Sequence, residues 1–259
     1  MISPLAAPPA LPRHVGVIMD GNGRWAQRRG RSRMTGHRMG AAAVRRVVRE
    51  AATLGIEQLT LFAFSTENWG RPRMEVSFLM RLIRRFLRGE CGELRRNGIR
   101  LRAIGRFDEL PGEVRSELER TISLTRGGGG MTLCLALNYG GRAELTDACR
   151  ELVREAAAGG IGADGITEER LAARLYQPEM PALDLIIRTG GEMRLSNFLL
   201  WQAAYSELWF TQLPWPDFAE EDFRRAVADF GSRMRRFGGA PPAALEVIRA
   251  GEIQSEEEP

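Results

Sequence analysis

The chain contains no lysine, so all 37 of its strongly basic residues are arginines. Walker-type phosphate loops, Schiff-base enzymes and enzymes with a lysine general base all need that residue, and its absence excludes the three classes. Histidine is nearly as scarce, because the sequence holds only His14 and His37. A histidine-rich zinc site is therefore excluded as well.

Cysteines and long apolar runs are also few. Cys91, Cys134 and Cys149 are widely separated and lack metal-ligand spacing, so we expect buried structural thiols. No apolar run reaches membrane-spanning length, and the first residues lack the charged-then-apolar pattern of a secretory leader. We therefore expect a cytoplasmic protein.

The charge balance favours a small anionic ligand over a nucleic acid. Net charge is only +4 over 259 residues, and the arginines are interleaved with Asp and Glu. A nucleic-acid-binding protein would use a continuous basic surface with steeply salt-dependent affinity, so we expect no nucleic-acid partner. A site for a small polyanion fits better.

Strand-like and helix-like segments alternate along the chain, with enough hydrophobic residues (44%) for a packed core. This pattern predicts an α/β fold, a single domain with a largely parallel central sheet flanked by helices. We expect this domain to span residues 13–239, between tails at 1–12 and 240–259. The predicted strands are 15–19, 58–64, 99–104, 132–137, 183–187 and 208–210.

Two predicted helices have clear apolar stripes. Residues 44–54 read as an amphipathic crossover helix, and residues 72–96 as a longer one with arginines opposite the stripe. Core packing explains such a stripe, but the long helix can also line a pocket for an apolar ligand. Helical spacing places Arg84 and Arg85 on its water-facing side.

Polar clusters follow four predicted strands, at residues 20–25, 65–71, 138–142 and 188–192. Ligands of open α/β sheets bind at this end of the strands. In the first cluster, glycines let the backbone approach an anion, Arg24 offers a forked cation, and Asp20 can hold a divalent ion. Each loop alone can be an ordinary surface turn. Together, their arginines suit two diphosphate groups.

These clusters carry a family resemblance from about His14 to Gly239. The blocks are HVGVIMDGNGRWA, GHRMGA, LTLFAFSTENWGRP, LALNYGGR, DLIIRTGGEMRLSNFLLWQAAYSELWF and WPDF. They resemble the cis-prenyltransferases, in particular the bacterial isoprenyl transferases typified by undecaprenyl diphosphate synthase. The aspartate-rich motif of the unrelated trans-prenyltransferases does not occur.

The resemblance implies a Mg²⁺-dependent homodimer that adds isopentenyl diphosphate, in successive cis condensations, to an allylic diphosphate such as farnesyl diphosphate. An apolar tunnel beside the active site would hold the growing chain. Small Ala63 predicts a medium-to-long product such as undecaprenyl diphosphate, with transient contact to the inner membrane face for its release. The alternatives are a short-chain Z-farnesyl-type synthase and a non-catalytic subunit of a heteromeric prenyltransferase.

The resemblance also implies roles for individual residues. Asp20 would hold Mg²⁺ and act in catalysis, with Glu207, from a partner subunit or a nearby turn, completing the metal shell. Asn68 matches the proposed proton acceptor, although an amide is a poor base and the diphosphate or Asp20 are alternatives. The implied substrate-binding positions are Gly21, Asn22, Gly23, Arg24, Trp25, Arg33, His37, Ser65, Thr66, Glu67, Trp69, Arg71, Arg188, Arg194, Leu195 and Ser196.

Overall fold

A six-stranded sheet forms the centre of the molecule, and all of its strand pairs are parallel. The computed structural model describes residues 11–233, so the predicted tails and the predicted domain end at 239 fall almost wholly outside the described residues. All six predicted strands are confirmed to within two residues at each end. They are β1 His14–Ile18, β2 Gln58–Ser65, β3 Arg100–Ile104, β4 Thr132–Tyr139, β5 Leu185–Arg188 and β6 Glu207–Phe210.

Helices flank this sheet, as the predicted α/β class requires. The crossover helix and the long helix of the sequence prediction are the second and third of them. The helices are α1 Asn22–Gln27, α2 Arg33–Thr53, α3 Arg73–Arg96, α4 Gly112–Thr125, α5 Gly141–Ala157, α6 Glu168–Ala172 and α7 Glu220–Ser232.

The strand order, β3-β4-β2-β1-β5-β6, determines where a ligand site can form. The chain runs from β1 to β2 on one side, and β5 later pairs with the opposite edge of β1. The order therefore reverses between β1 and β5, and parallel sheets bind ligands beyond the carboxyl ends of strands at such a reversal. The predicted polar clusters after β1, β2, β4 and β5 all lie at this end.

Alternate residues of each strand fill two apolar clusters. Leu59 and Leu61 belong to a large cluster with α2, α3 and α7, whereas Ile186 belongs to a smaller one around Phe198. Successive strand residues point to opposite faces, so each cluster occupies one face of the sheet. The larger cluster lies beneath the site described below.

The cysteines depart in part from expectation. Cys91 and Cys134 are buried, and burial raises the pKa of the Cys134 thiol to about 12. The prediction was wrong for Cys149, which is exposed. Its helix, α5, buries Ala148 and Leu152 instead.

None of the helices within residues 11–233 is both long and apolar enough to cross a membrane.

Candidate active site

A cavity of about 630 Å³ lies between the sheet and helices α2 and α3, at the carboxyl ends of β1 and β2. Its mouth is polar and includes Asp20 and Asn68. Leu61, four residues before the end of β2, and Phe86, far along α3, line its deeper part. Their neighbours there are also apolar: Val44, Ala63, Leu79, Leu82, Ile83 and Leu135. One space therefore joins a charged rim to an apolar wall.

Asp20 follows β1 and is held from several directions. Its Oδ2 accepts a hydrogen bond of 2.9 Å from Arg188 Nη2 and lies 3.3 Å from Arg24 Nη2, while Oδ1 accepts one of 2.6 Å from Gly21 N–H. Partial burial raises the pKa of Asp20, but these hydrogen bonds and the charges of Arg188 and Arg24 outweigh it and hold the pKa below its usual value. Asp20 is therefore a fixed carboxylate at neutral pH.

The loop after Asp20 depends on glycine for its shape and position. Gly21 has φ +95°, and a Cβ there would lie 2.9 Å from Pro214. On α2, a Cβ at Gly36 would lie 2.0 Å from the carbonyl oxygen of Asn22, and one at Gly40 would lie 2.2 Å from its Oδ1. These contacts place Asn22 against the first turns of α2, which explains the glycine spacing in the GHRMGA block.

Arg188, the last residue of β5, lies at the base of the charged rim. Its side chain is only 4% exposed and donates to Asp20, to Ser196 Oγ at 2.7 Å and to the carbonyl oxygen of Arg194. Glu192 pairs with both Arg194, at 2.7 Å, and Arg24, at 3.4 Å. The β1 and β5 loops are thus joined by an alternating set of arginines and carboxylates.

The β2 loop supplies the other predicted polar residues. Asn68 Oδ1 accepts a hydrogen bond of 3.2 Å from Ser65 N–H, and Glu67 Oε1 accepts one of 2.8 Å from Asn197 Nδ2. Ser65, Glu67 and Asn68 all line the cavity. Trp69 does not, because its indole N–H donates to Asn138 Oδ1 at 2.7 Å.

Glu75 is a site residue that the sequence analysis missed. In the first turn of α3, it contacts Arg33, His37 and Arg71, all three of which line the cavity. The spacing of Arg71 and Glu75, four residues apart at a helix start, is a signal that points to one of these pairs. The pairs with Arg33 and His37 join different helices, and no local pattern encodes them.

The structure gathers most of the predicted site residues but not all of them. Trp25 is buried away from the cavity, where it donates to Asp217 Oδ1 at 2.6 Å and stacks under Arg29. Gly21, Thr66, Arg194 and Leu195 lie in the rim loops and Arg24 lies in α1, and none of these five lines the cavity. The predicted positions that do line it are Asp20, Asn22, Gly23, Arg33, His37, Ser65, Glu67, Asn68, Arg71, Arg188 and Ser196.

Glu207 requires a correction. It is not in a turn near Asp20 but opens β6, in register with Leu185, which in turn pairs with Val15 at the start of β1. Asp20 lies five residues further along the extended chain than Val15, or roughly 16 Å away. Glu207 is moreover ion-paired with Arg233 at 2.9 Å. Within one chain it therefore cannot share a metal ion with Asp20.

No group of three or more His, Cys, Asp or Glu side chains among residues 11–233 has the arrangement of a metal site. Asp20 is a single carboxylate beside a cluster of cations. Mg²⁺ is commonly held by one or two carboxylates plus phosphate oxygens of the substrate, and such a donor set would be complete only with the substrate bound. The residues of the rim fit that mode.

Comparisons with known proteins agree with this geometry. A family profile described as "Putative undecaprenyl diphosphate synthase" matches residues 18–238. An isoprenyl transferase from Clostridium perfringens is 48% identical over 88% of this chain and 90% of its own length. A ditrans,polycis-undecaprenyl-diphosphate synthase ((2E,6E)-farnesyl-diphosphate specific) from Salmonella typhimurium is 49% identical over 89% and 91%. Among solved structures, lavandulyl diphosphate synthase from Lavandula x intermedia, in complex with dimethylallyl diphosphate, matches with a TM-score of 0.85 and 37% identity, covering 88% of this chain and 98% of that one.

Proposed function

Because the chain belongs to the undecaprenyl diphosphate synthase family and is a prenyl transferase, we propose that it condenses isopentenyl diphosphate onto an allylic diphosphate, preferably farnesyl diphosphate, in successive cis additions. The observation that carries this proposal is the continuity of the charged rim and the apolar wall in one cavity. A prenyl diphosphate has the same two parts, an anionic head and a hydrocarbon chain.

The allylic diphosphate is proposed to bind between the Asp20 loop and the start of α2. Arg33, His37 and Arg71 line that side of the cavity, and guanidinium groups form paired hydrogen bonds with phosphoryl oxygens. Gly23, in the first turn of α1, adds backbone that can approach the anion closely, and Arg24 adds a further cation from the same turn. The hydrocarbon would then run along the apolar wall, where each buried CH₂ contributes about 0.8 kcal/mol.

The diphosphate of isopentenyl diphosphate is proposed to bind at the β5 side of the rim. Arg188 and Ser196 line the cavity there, and Arg194 with Leu195 lies in the same loop. Ligand binding would exchange carboxylate partners of these arginines for phosphoryl oxygens. In this proposal the two diphosphate heads would lie on either side of Asp20.

Asp20 is the residue that would hold Mg²⁺, together with phosphoryl oxygens of the substrate. When bound, the ion would neutralise charge on the departing diphosphate. Among residues 11–233, Glu207 could join it only from a second copy of the chain, given its position at the opposite end of the sheet.

The proposed reaction breaks the allylic C–O bond, and the electron pair leaves with the diphosphate. Arg24, Arg33 and Arg71 stabilise that charge, while the apolar wall surrounds the allylic cation. The double bond of isopentenyl diphosphate then attacks, and a proton is lost from the neighbouring carbon. Asn68 already accepts a hydrogen bond from Ser65 N–H through Oδ1. This contact and the weak basicity of an amide favour Asn68 as an orienting group, with the released diphosphate as proton acceptor.

Product length is proposed to be medium to long, of the undecaprenyl type, because the small side chain of Ala63 lines the deeper cavity. The structural similarity to a lavandulyl diphosphate synthase keeps a short-chain product as the second candidate. Retention of Asp20, Asn68 and Arg188 at the rim argues against a non-catalytic subunit.

Assembly and location are further proposals from the family resemblance. We expect a homodimer in the cytoplasm that contacts the membrane transiently when it releases its lipid product. The edge strand β6 supports pairing with a second copy, because Tyr205 beside it is 76% exposed and Leu208 on it is 38% exposed.

An incorporation assay tests the proposed function. Farnesyl diphosphate, labelled isopentenyl diphosphate and Mg²⁺ are incubated with the chain, and extracted products are sized by chromatography. We expect labelled polyprenyl products longer than farnesyl, loss of at least about 95% of the label incorporation with excess EDTA, and recovery on adding Mg²⁺. Absence of any labelled lipid, or incorporation unaffected by EDTA, would contradict the proposal.

A further inference from the structure

We propose that Glu75 is a positioning residue that gathers Arg33, His37 and Arg71 into one diphosphate-binding group. The inference rests on the proposed function, since it assigns the ligand of these three side chains. Glu75 itself does not line the cavity, whereas its three partners do. It would therefore act through them and not by touching substrate.

The geometry places one buried carboxylate behind two arginines and His37, and burial holds the pKa of His37 below its usual value. Glu75 is only 8% exposed. Its Oε1 lies 2.9 Å from Arg71 Nη1 and 3.2 Å from His37 Nε2, and its Oε2 lies 3.2 Å from Arg33 Nε. Arg33 and His37 come from the first turns of α2, and Arg71 from the loop before α3. The carboxylate thus joins groups that no single element could bring together.

Electrostatics explain why such a group needs an anion. Like charges in close proximity repel, and flexible arginine side chains would otherwise separate into solvent. Burial raises the pKa of Glu75, but hydrogen bonds from Arg33 and His37 and the charges of Arg33 and Arg71 outweigh it and hold the pKa below its usual value. Glu75 is therefore ionised at neutral pH and keeps its partners in place before a ligand arrives.

Two other ion pairs also join α2 and α3, but they differ from those of Glu75 in their distance from the site. Glu90 is also 8% exposed and pairs with Arg45 at 2.5 Å, and Glu93 pairs with Arg49 further along. Neither Arg45 nor Arg49 lines the main cavity. Glu90 therefore offers a matched control, with the same burial and the same pair of helices but no cation at the site.

The experiment compares Glu75→Gln with Glu90→Gln in the full chain. We expect Glu75→Gln to raise KM for farnesyl diphosphate about tenfold or more. The neutral amide would no longer hold its three partners in place, and a change of this size corresponds to the loss of one charged hydrogen bond. KM for isopentenyl diphosphate should change less than about threefold, because Arg188 and Arg194 serve that head. Glu90→Gln should leave both KM values within about twofold of wild type, while the two variants lower Tm to a similar extent.

Glu75→Asp provides a second variant that retains the charge, and it should recover part of the lost affinity. Equal KM values for Glu75→Gln and Glu90→Gln would overturn the inference, since Glu75 would then be an ordinary ion pair. Tighter binding by Glu75→Gln would also overturn it, because Glu75 would then only compete with the ligand for the arginines.

Calorimetry with inorganic pyrophosphate separates this inference from the proposed function. If the wild-type chain binds pyrophosphate more tightly than Glu75→Gln but makes no polyprenyl product, the proposed function fails and the positioning role stands. If the chain makes polyprenyl product and both proteins bind pyrophosphate equally, the positioning role fails alone.

Discussion

Replacing Asp20 with asparagine is expected to lower kcat for prenyl transfer by about a thousandfold or more. Asparagine keeps the size of the side chain but removes the charge that would hold Mg²⁺ between the two diphosphates. It also leaves the buried guanidinium of Arg188 without its carboxylate partner at 2.9 Å. Label incorporation at saturating substrate measures the loss.

Asp217→Asn is the matched control for this prediction. Asp217 also pairs with an arginine and also borders α1, through Trp25 and Arg29, but it does not line the cavity. We expect kcat within about fivefold of wild type for this variant, with both variants destabilised by about 1–3 kcal/mol in urea unfolding. Comparable kcat values for the two variants would refute a catalytic role for Asp20.

Substitution of Ala63 by leucine is expected to shorten the products. Phe62 pairs with Ala136 and Phe64 with Leu137, so Ala63 is an extra residue at a bulge in β2. It lines the deeper cavity between the sheet and α3, opposite apolar side chains such as Leu79 and Ile83. A leucine there would occupy space that a growing chain needs, and well-packed walls resist rearrangement. Chromatography of labelled products should show the main product reduced by several isoprene units.

Ala103→Leu serves as the control for packing alone. Ala103 lies on edge strand β3, is partly buried against the same apolar cluster and does not line the cavity. This variant should lose about 1–3 kcal/mol of stability, as Ala63→Leu should, but keep the wild-type product length. An unchanged length distribution for Ala63→Leu would show that the hydrocarbon runs elsewhere.

The fold could be predicted from the sequence because buried parallel strands leave a strong local signal. Residues 132–137 and 183–187 are nearly continuous apolar runs, and helical stripes separate the strands. The place of the site followed from the same reasoning, since polar clusters after β1, β2 and β5 must meet at one end of a parallel sheet. In the structure, residues of these three clusters line one cavity, and Arg84 and Arg85 lie outside its lining.

Other features could not be predicted because they depend on contacts between distant elements. Glu75 looks like an ordinary first-turn acid of α3 until α2 packs beside it. Trp25 follows the glycine loop closely, but the first turn of α1 directs its ring toward Asp217. Glu207 sits near the end of a block rich in site residues, yet the chain has by then crossed to the opposite end of the sheet. Proximity in sequence misleads wherever a connection carries the chain from one end of the sheet to the other.

A crystal structure of the chain with Mg²⁺ and an unreactive thio analogue of farnesyl diphosphate would test the central claim most directly. That claim is that one cavity holds the diphosphate at the arginine rim and the hydrocarbon along the apolar wall. We predict the diphosphate within hydrogen-bond distance of the Gly23 backbone and Arg33, and the farnesyl chain against Ala63 and Phe86. A diphosphate bound outside this rim, or a farnesyl chain directed into solvent with the cavity empty, would contradict the account.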